Sequence, residues 1–131
     1  MHQHRELFRQ VQAQIGMFLP EETYAAAAAF VLGYDLACEG GVCIGFREWL
    51  VMRVGSGSNL SWTGLVLDVA FPTSKNPNEA VHASAETERH AIDVLFKLLA
   101  EYDDEVRSKN EGLSEVFLAY GRWLRKHRIS S

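Results

Sequence analysis

Apolar side chains recur every three or four residues along most of this chain, which is the spacing of amphipathic helices. Leu7, Val11 and Ile15 predict a first helix over about His4–Gln14, with Gly16 as its C-terminal stop. The same spacing returns in almost every later segment. We therefore expect a helical protein, and we place each helix from its start and stop signals.

The second predicted helix begins at a proline and ends at a pair of glycines. Pro20 suits the first helical position, and Glu21 and Glu22 then lie in the positively polarised first turn. Five consecutive alanines follow, whose small side chains let another helix approach closely. The helix reaches about Cys38, and Gly40-Gly41 predicts the turn that ends it.

Two tryptophans dominate the middle of the chain, on either side of Gly55-Ser56-Gly57. Trp49 belongs to a predicted helix over 44–54, and Trp62 to another over 59–71 that begins at Asn59 as N-cap. Trp62 opens a stripe with core-facing helical spacing. The same segment also alternates apolar and polar residues as a strand does, and a strand is the alternative. We expect both tryptophans to anchor the core, with an interface contact as the alternative.

The C-terminal half predicts three further elements. Asn76-Pro77 is a strong helix start and predicts a short turn over Pro77–His82, before a main helix from about Ser84. A last helix covers about Leu113–Lys126, with Phe117 among its inward residues. The expected fold is all-α, a single compact bundle of about six helices formed by residues 1–131 as one domain.

Composition places the chain among intracellular globular proteins. Its 131 residues are 47% hydrophobic and 23% charged, which is typical of one folded domain. No stretch approaches the ~20 apolar residues of a membrane span, and no secretory signal is visible at the N-terminus. We expect a cytoplasmic protein in which Cys38 and Cys43 are free, mostly buried thiols. A disulfide across the four intervening residues is the alternative in an oxidising compartment.

The charge of the chain argues against one class of partner. A formal net charge of -4 is unlike that of a nucleic-acid-binding protein, which clusters Lys and Arg against the phosphate backbone. One basic group exists at the end of the last predicted helix. Cations there interact favourably with the negative end of the helix dipole. The group consists of Arg122, Arg125, Lys126, His127 and Arg128. An acidic group lies at the end of the main helix: Glu101, Asp103, Asp104 and Glu105.

One set of residues has the composition of a metal site. Glu79 and His82 have the Glu-x-x-His spacing of helix-bundle di-iron proteins, and Glu86 and His90 continue the same face. Such a site requires the motif twice, and it occurs once here. The pair His2 and His4 lies at the terminus, where histidines are usually mobile. We expect no metal, no cofactor and no catalytic residues, because no nucleophile or acid–base motif is recognisable.

A pattern of structural aromatics resembles one family of small bacterial proteins. It consists of four segments in chain order: Met17-Phe18-Leu19, then Phe30-Val31-Leu32-Gly33-Tyr34-Asp35 on the alanine-rich helix, then Gly45-Phe46-Arg47-Glu48-Trp49-Leu50, then Leu60-Ser61-Trp62. Some of these proteins are immunity proteins of polymorphic toxin systems. The similarity covers roughly residues 15 to 100, and its motifs specify a fold better than an activity.

The resemblance implies a non-catalytic protein that binds and neutralises a cognate toxin domain in the cytosol. Two alternatives come from other classes: a scaffold that self-associates through the alanine-rich helix, and a metal-dependent enzyme using the Glu-x-x-His face. An acidic surface steers toward a basic partner. The residues expected to contact the partner are therefore acidic: Asp35, Glu39, Glu48, Asp103 and Asp104.

Overall fold

The protein is all-helical. The computed structural model describes the backbone of residues 2–129 and the side chains of residues 4–127. Helix makes up 74% of the structure, and the described residues contain no strand. The helices are α1 (His2–Ala13), α2 (Ile15–Phe18), α3 (Tyr24–Ala37), α4 (Phe46–Val54), α5 (Trp62–Ala70), α6 (Pro77–Ala80), α7 (Ala85–Tyr102) and α8 (Gly112–Ile129). The count of eight exceeds the predicted six because α2 and α6 are single turns of four residues.

Helix α7 is the centre of the molecule. Its inward face is buried throughout, and α1, α3, α4 and α5 all pack against it. The apolar stripe of α7 and the turn after it is nearly inaccessible to solvent, and it consists of Ile92, Leu95, Phe96, Leu99, Tyr102 and Val106. Helix α8 packs on α4 and on the π-helical turn Asp103–Arg107 that follows α7.

Both middle tryptophans lie in the core, as the sequence predicts. Trp49 and Trp62 flank the ring of Phe46, with centroids 6.1 and 5.8 Å away, and Tyr102 of α7 closes the group at 5.4 Å from Phe46. Trp49 Nε1 also donates a hydrogen bond of 3.1 Å to the Glu105 carboxylate. The aromatic pairs adopt tilted and stacked geometries that add stabilisation beyond their buried area.

The start of α3 corrects the prediction from Pro20. The helix begins at Tyr24, and Thr23 is its N-cap, with a side-chain oxygen that accepts a bond of 3.2 Å from the Ala26 N–H. Pro20 and the two glutamates therefore precede the helix instead of forming its first turn. Gly16 is also no stop, because it lies inside α2. The predicted end near Cys38 is confirmed, with Gly40 at a φ of 78° in the turn beyond.

The segment after the glycine break is a helix, so the strand alternative is wrong. Helix α5 begins at Trp62 with Ser61 as N-cap, two residues later than the Asn59 start that the sequence suggested. Gly55 and Gly57 both have positive φ, 86° and 85°, which glycine adopts without steric cost. At Gly57 a side chain would also collide with Leu65, since an added Cβ would lie 2.8 Å from its Cδ2.

The C-terminal half follows the prediction closely. Helix α6 begins at Pro77, a 3₁₀ turn follows over Val81–Ala83, and α7 starts behind Ser84 in a capping box with Thr87. Phe117 is a correction, because 43% of it is exposed while Val116 faces the core. Within the described residues, every helix is too short or too polar to span a bilayer.

Candidate interaction surface

The polar side chains of α3 all turn into the protein. The Tyr24 hydroxyl donates to the Thr63 carbonyl at 2.6 Å, and the Tyr34 hydroxyl forms a 2.6 Å hydrogen bond with His4 Nδ1. Asp35 Oδ1 accepts the backbone N–H groups of Val42 and Cys43 at 3.0 and 2.8 Å. Tyr24, Tyr34 and Asp35 are the only polar side chains of this helix, so its opposite side has none.

The side of α3 that faces solvent is apolar. We call it the outer face, and it consists of Ala25, Ala29, Leu32, Gly33 and Leu36, all exposed. The four side chains follow one another at intervals of four, three and four residues, which is the seam that a docking helix contacts. Leu36 is 76% exposed and Leu32 is 42% exposed. The surroundings of Gly33 are open, with no atom within 4 Å of a Cβ built there.

A helix that is apolar on all sides is normally buried on all sides. Here the buried side of α3 uses Tyr24, Ala27, Ala28 and Val31, while the outer face has no covering element in the described chain. The 14 residues of α3 make this face about 21 Å long. Next to it, Phe18 of α2 packs its ring 6.5 Å from that of Phe30 and extends the apolar surface.

The five predicted contact residues lie on three separate elements. Asp35 and Glu39 lie at the end of α3; Asp35 is engaged by the backbone bonds above, and Glu39 is exposed with a φ of 56°. Glu48 of α4 is partly buried and accepts a 3.0 Å bond from Arg47. The structure thus places only Glu39 of these three fully at the surface.

The remaining two contact residues lie in the π-helical turn. Asp103 is 5% exposed, and its Oδ2 lies 3.8 Å from Arg5 Nε. The same guanidinium donates a 2.6 Å bond to Asp104 Oδ1. All four acidic residues at the end of the main helix are thus engaged by other side chains, because Glu101 pairs with Arg53 and Glu105 accepts from Trp49 as well. Asp104 and Glu105 nevertheless stay exposed.

A small cavity lies between α1 and the end of α7. Its volume is about 110 Å³, below the range of about 300–1,000 Å³ usual for ligand pockets. His4, Arg5, Phe8, Phe96 and Asp103 are among its walls. Burial lowers the pKa of His4 and so favours its neutral imidazole. The buried carboxylate in the cavity wall, Asp103, has one oxygen 3.8 Å from Arg5 Nε. Its other oxygen and the Arg107 Nε are buried without a hydrogen-bond partner in the described chain.

The predicted metal-binding face does not converge. His82 Nδ1 lies 3.2 Å from Glu88, and His90 Nε2 lies 2.9 Å from the Ala70 carbonyl. Among the described side chains, no group of three or more His, Cys, Asp or Glu could hold a metal ion. The side chain of His2 lies outside the described residues, and its predicted companion His4 bonds to Tyr34.

The thiols and the basic group also have local structural surroundings. Cys38 is partly buried, Cys43 is buried, and both are free; burial raises the pKa of the Cys43 thiol to about 12. At the other end of the chain, Trp123 stacks on His127 with centroids 4.0 Å apart. The basic residues lie in the last turns of α8, and the side chain of Arg128 is outside the described residues.

The sequence analysis missed the outer face of α3. The signal was present in residues 24–37, where three polar side chains are too few to form a solvated stripe. No protein-family model, no curated protein and no solved structure matches this chain. The function must therefore be argued from the residues and surfaces of the chain itself.

Proposed function

We propose that this protein is a non-catalytic, immunity-type inhibitor that binds and neutralises a cognate bacterial toxin domain. The observation that carries the proposal is the outer face of α3. A folded domain gains nothing from leaving a leucine such as Leu36 in water while it turns the hydroxyls and carboxylate of the same helix inward. A surface of this kind is typical of a binding site for another protein.

The arrangement suits tight binding by a preformed surface. The three inward polar side chains hold α3 to three different parts of the molecule, at Thr63, at His4 and at the 42–43 backbone. The helix is thus fixed before any partner arrives, and binding does not have to order it. A stable complex buries about 800 Å² on each partner, so we expect the outer face to form the centre of a larger contact.

A second candidate function uses the same face. Ala25, Ala29 and Gly33 repeat a small residue every fourth position, which lets two helix backbones come close together. This spacing favours a scaffold that self-associates through α3. Sedimentation velocity over a hundredfold range of concentration separates the two functions, because self-association gives a concentration-dependent mass.

The proposal is tested by co-expression with a toxin domain encoded next to the gene for this chain. We expect the two proteins to co-purify and the chain to restore growth of cells that express the toxin. Leu36→Asp should abolish both effects, because it replaces the most exposed leucine of the outer face with a charge. Leu118→Asp is the matched control, since Leu118 of α8 is also a highly exposed leucine, at 63%. Growth rescue that survives Leu36→Asp would rule out the outer face as the binding surface.

A further inference from the structure

The part of the chain that contains α3 has an excess of negative charge equal to that of the whole protein. From Gln10 to Phe46 there is no Lys, Arg or His, and the charged residues are Glu21, Glu22, Asp35 and Glu39. These four acids equal the net charge of the whole chain, which is -4. Everywhere else, 13 acidic residues are matched by all 13 lysines and arginines.

The structure puts three of these four acids around the outer face. Glu21 and Glu22 are exposed just before the first residue of α3, and Glu39 is exposed just after its last turn. Asp35 points away, into its bonds with the backbone of residues 42 and 43. Exposed acidic residues therefore lie within four residues of each end of the outer face.

Further acidic and basic groups near the two ends leave this polarity unchanged. At the N-terminal end, Glu88 of α7 is mostly buried: it accepts the Tyr24 N–H at 2.9 Å and lies 3.2 Å from His82 Nδ1, so its carboxylate is used inside the protein. At the C-terminal end, Arg107 is partly buried and donates to the Gly41 carbonyl at 2.6 Å. This guanidinium is used inside the loop, whereas the exposed carboxylate of Glu39 faces solvent.

On the basis of the function proposed above, we infer that the outer face of α3 binds a basic amphipathic helix of the partner, not a second copy of this chain. The four-three-four spacing of the outer-face side chains fits the side chains of another helix. The acidic residues near both ends of α3 favour a partner helix with Lys or Arg at each end of its apolar stripe. A second copy would bring acids against acids in either orientation. Unit charges 4 Å apart repel by about 1 kcal/mol even in water.

The inference is tested first with peptides, so that the toxin is not needed. One synthetic helix of about 20 residues carries Leu and Ala at four-three-four spacing and Lys at both ends; its twin ends in Glu. We expect the chain to bind the Lys-ended peptide at least about tenfold more tightly, by fluorescence anisotropy. Leu36→Asp should remove this binding. Equal affinity for the two peptides would overturn the inference.

A charge-swap variant makes the test specific to the ends of α3. The combined substitutions Glu21→Lys, Glu22→Lys and Glu39→Lys should reverse the preference, so that the Glu-ended peptide binds more tightly. Glu79→Lys, Glu111→Lys and Glu115→Lys form the control variant, because they change the net charge equally at exposed positions of other elements. If the control variant lost its preference for the Lys-ended peptide as completely as the charge-swap variant does, net charge alone would determine the affinity. That result would overturn the inference.

The same variants separate this inference from the proposed function. With the toxin itself, the association rate should fall roughly tenfold between about 0.05 and 0.5 M salt, and the charge-swap variant should lose this dependence. Co-purification and growth rescue that persist in the charge-swap variant with an unchanged rate would leave the function standing and refute the basic helix. A free chain that dimerises through Leu36 in sedimentation would refute it too.

Discussion

Helices α3 and α7 pack against each other and have opposite designs. Helix α7 buries seven residues of its apolar stripe and leaves most of its charged residues at least partly in solvent, as a helix of a globular protein normally does. Helix α3 turns its two tyrosines and its aspartate inward and shows alanine, glycine and leucine to solvent. Packing of the domain explains α7 completely, whereas it explains only the inner side of α3.

This difference means that α7 contributes mainly to the stability of the fold, whereas the outer face of α3 is available for binding. The apolar area of α7 is already removed from water in the free protein, so its side chains contribute to the free energy of unfolding. The leucines of the outer face are still in water, so their burial is available only to a partner. Mutations in the two helices should therefore divide into those that unfold the protein and those that leave its fold unchanged.

The largest contrast is expected between two leucines. Leu95 of α7 is fully buried and Leu36 of α3 is 76% exposed. Leu95→Ala should lower the free energy of unfolding by about 3 kcal/mol, because it removes buried methyl groups and leaves a cavity. Leu36→Ala should change it by less than about 0.5 kcal/mol. Urea unfolding followed by circular dichroism measures both, and similar losses at the two sites would mean that α3 is covered in the free protein.

The next effect concerns the inward carboxylate of α3. Asp35→Ala removes the acceptor of two backbone N–H groups and leaves them without a partner. We expect a loss of about 2 kcal/mol in the free energy of unfolding. Glu39→Ala, four residues along, should cost almost nothing, because that side chain is exposed. If both substitutions were neutral, the loop after α3 would not depend on the aspartate.

The period of apolar residues was sufficient to predict α7, because each turn of that helix meets another helix. The starts of α3 and α5 were missed for a physical reason: each has more than one start signal nearby. Thr23 as an N-cap competes with Pro20 as a first helical residue, and Ser61 competes with Asn59 as an N-cap; tertiary packing decides between them. Pattern alone leaves such starts uncertain by several residues.

The roles of the acidic residues were less predictable than the helices. Asp103 is buried because the π-helical turn places it beside Arg5, a contact between distant parts of the chain that no local pattern encodes. Asp35 became a cap for the backbone of a loop. The outer face was missed for a different reason, since the few polar side chains of α3 point inward and leave no polar stripe to mark the side that faces solvent.

Both helices also contain a buried tyrosine, and these should respond alike to alkaline pH. Burial raises the pKa of Tyr24 in α3 and of Tyr102 in α7 above the ordinary value of 10.0. Above pH 10 the unfolded chain therefore releases these protons while the folded protein keeps them. Each tyrosine should lower the free energy of unfolding by up to about 1.4 kcal/mol per pH unit.

The measurement is urea unfolding between pH 9 and pH 11. Tyr24→Phe removes one of the two titrating groups, so the decline in its free energy of unfolding above pH 10 should be shallower than in the unsubstituted chain. An equally steep decline would mean that the Tyr24 hydroxyl is not enclosed, and that this end of α3 opens in the free protein.

The smallest expected effect tests whether the N-termini of α3 and α7 are equally stable, so that the two helices differ only in their solvent-facing surfaces. Each has an N-cap side chain: Thr23 accepts from Ala26 N at 3.2 Å, and Ser84 accepts from Thr87 N at 3.1 Å. Thr23→Ala and Ser84→Ala should each cost about 1 kcal/mol in the free energy of unfolding. A clearly smaller cost at Thr23 would mean that α3 frays in the free protein and is completed by its partner. Equal costs would mean that α3 is already as well formed at its N-terminus as α7, and that only its outer face awaits an occupant.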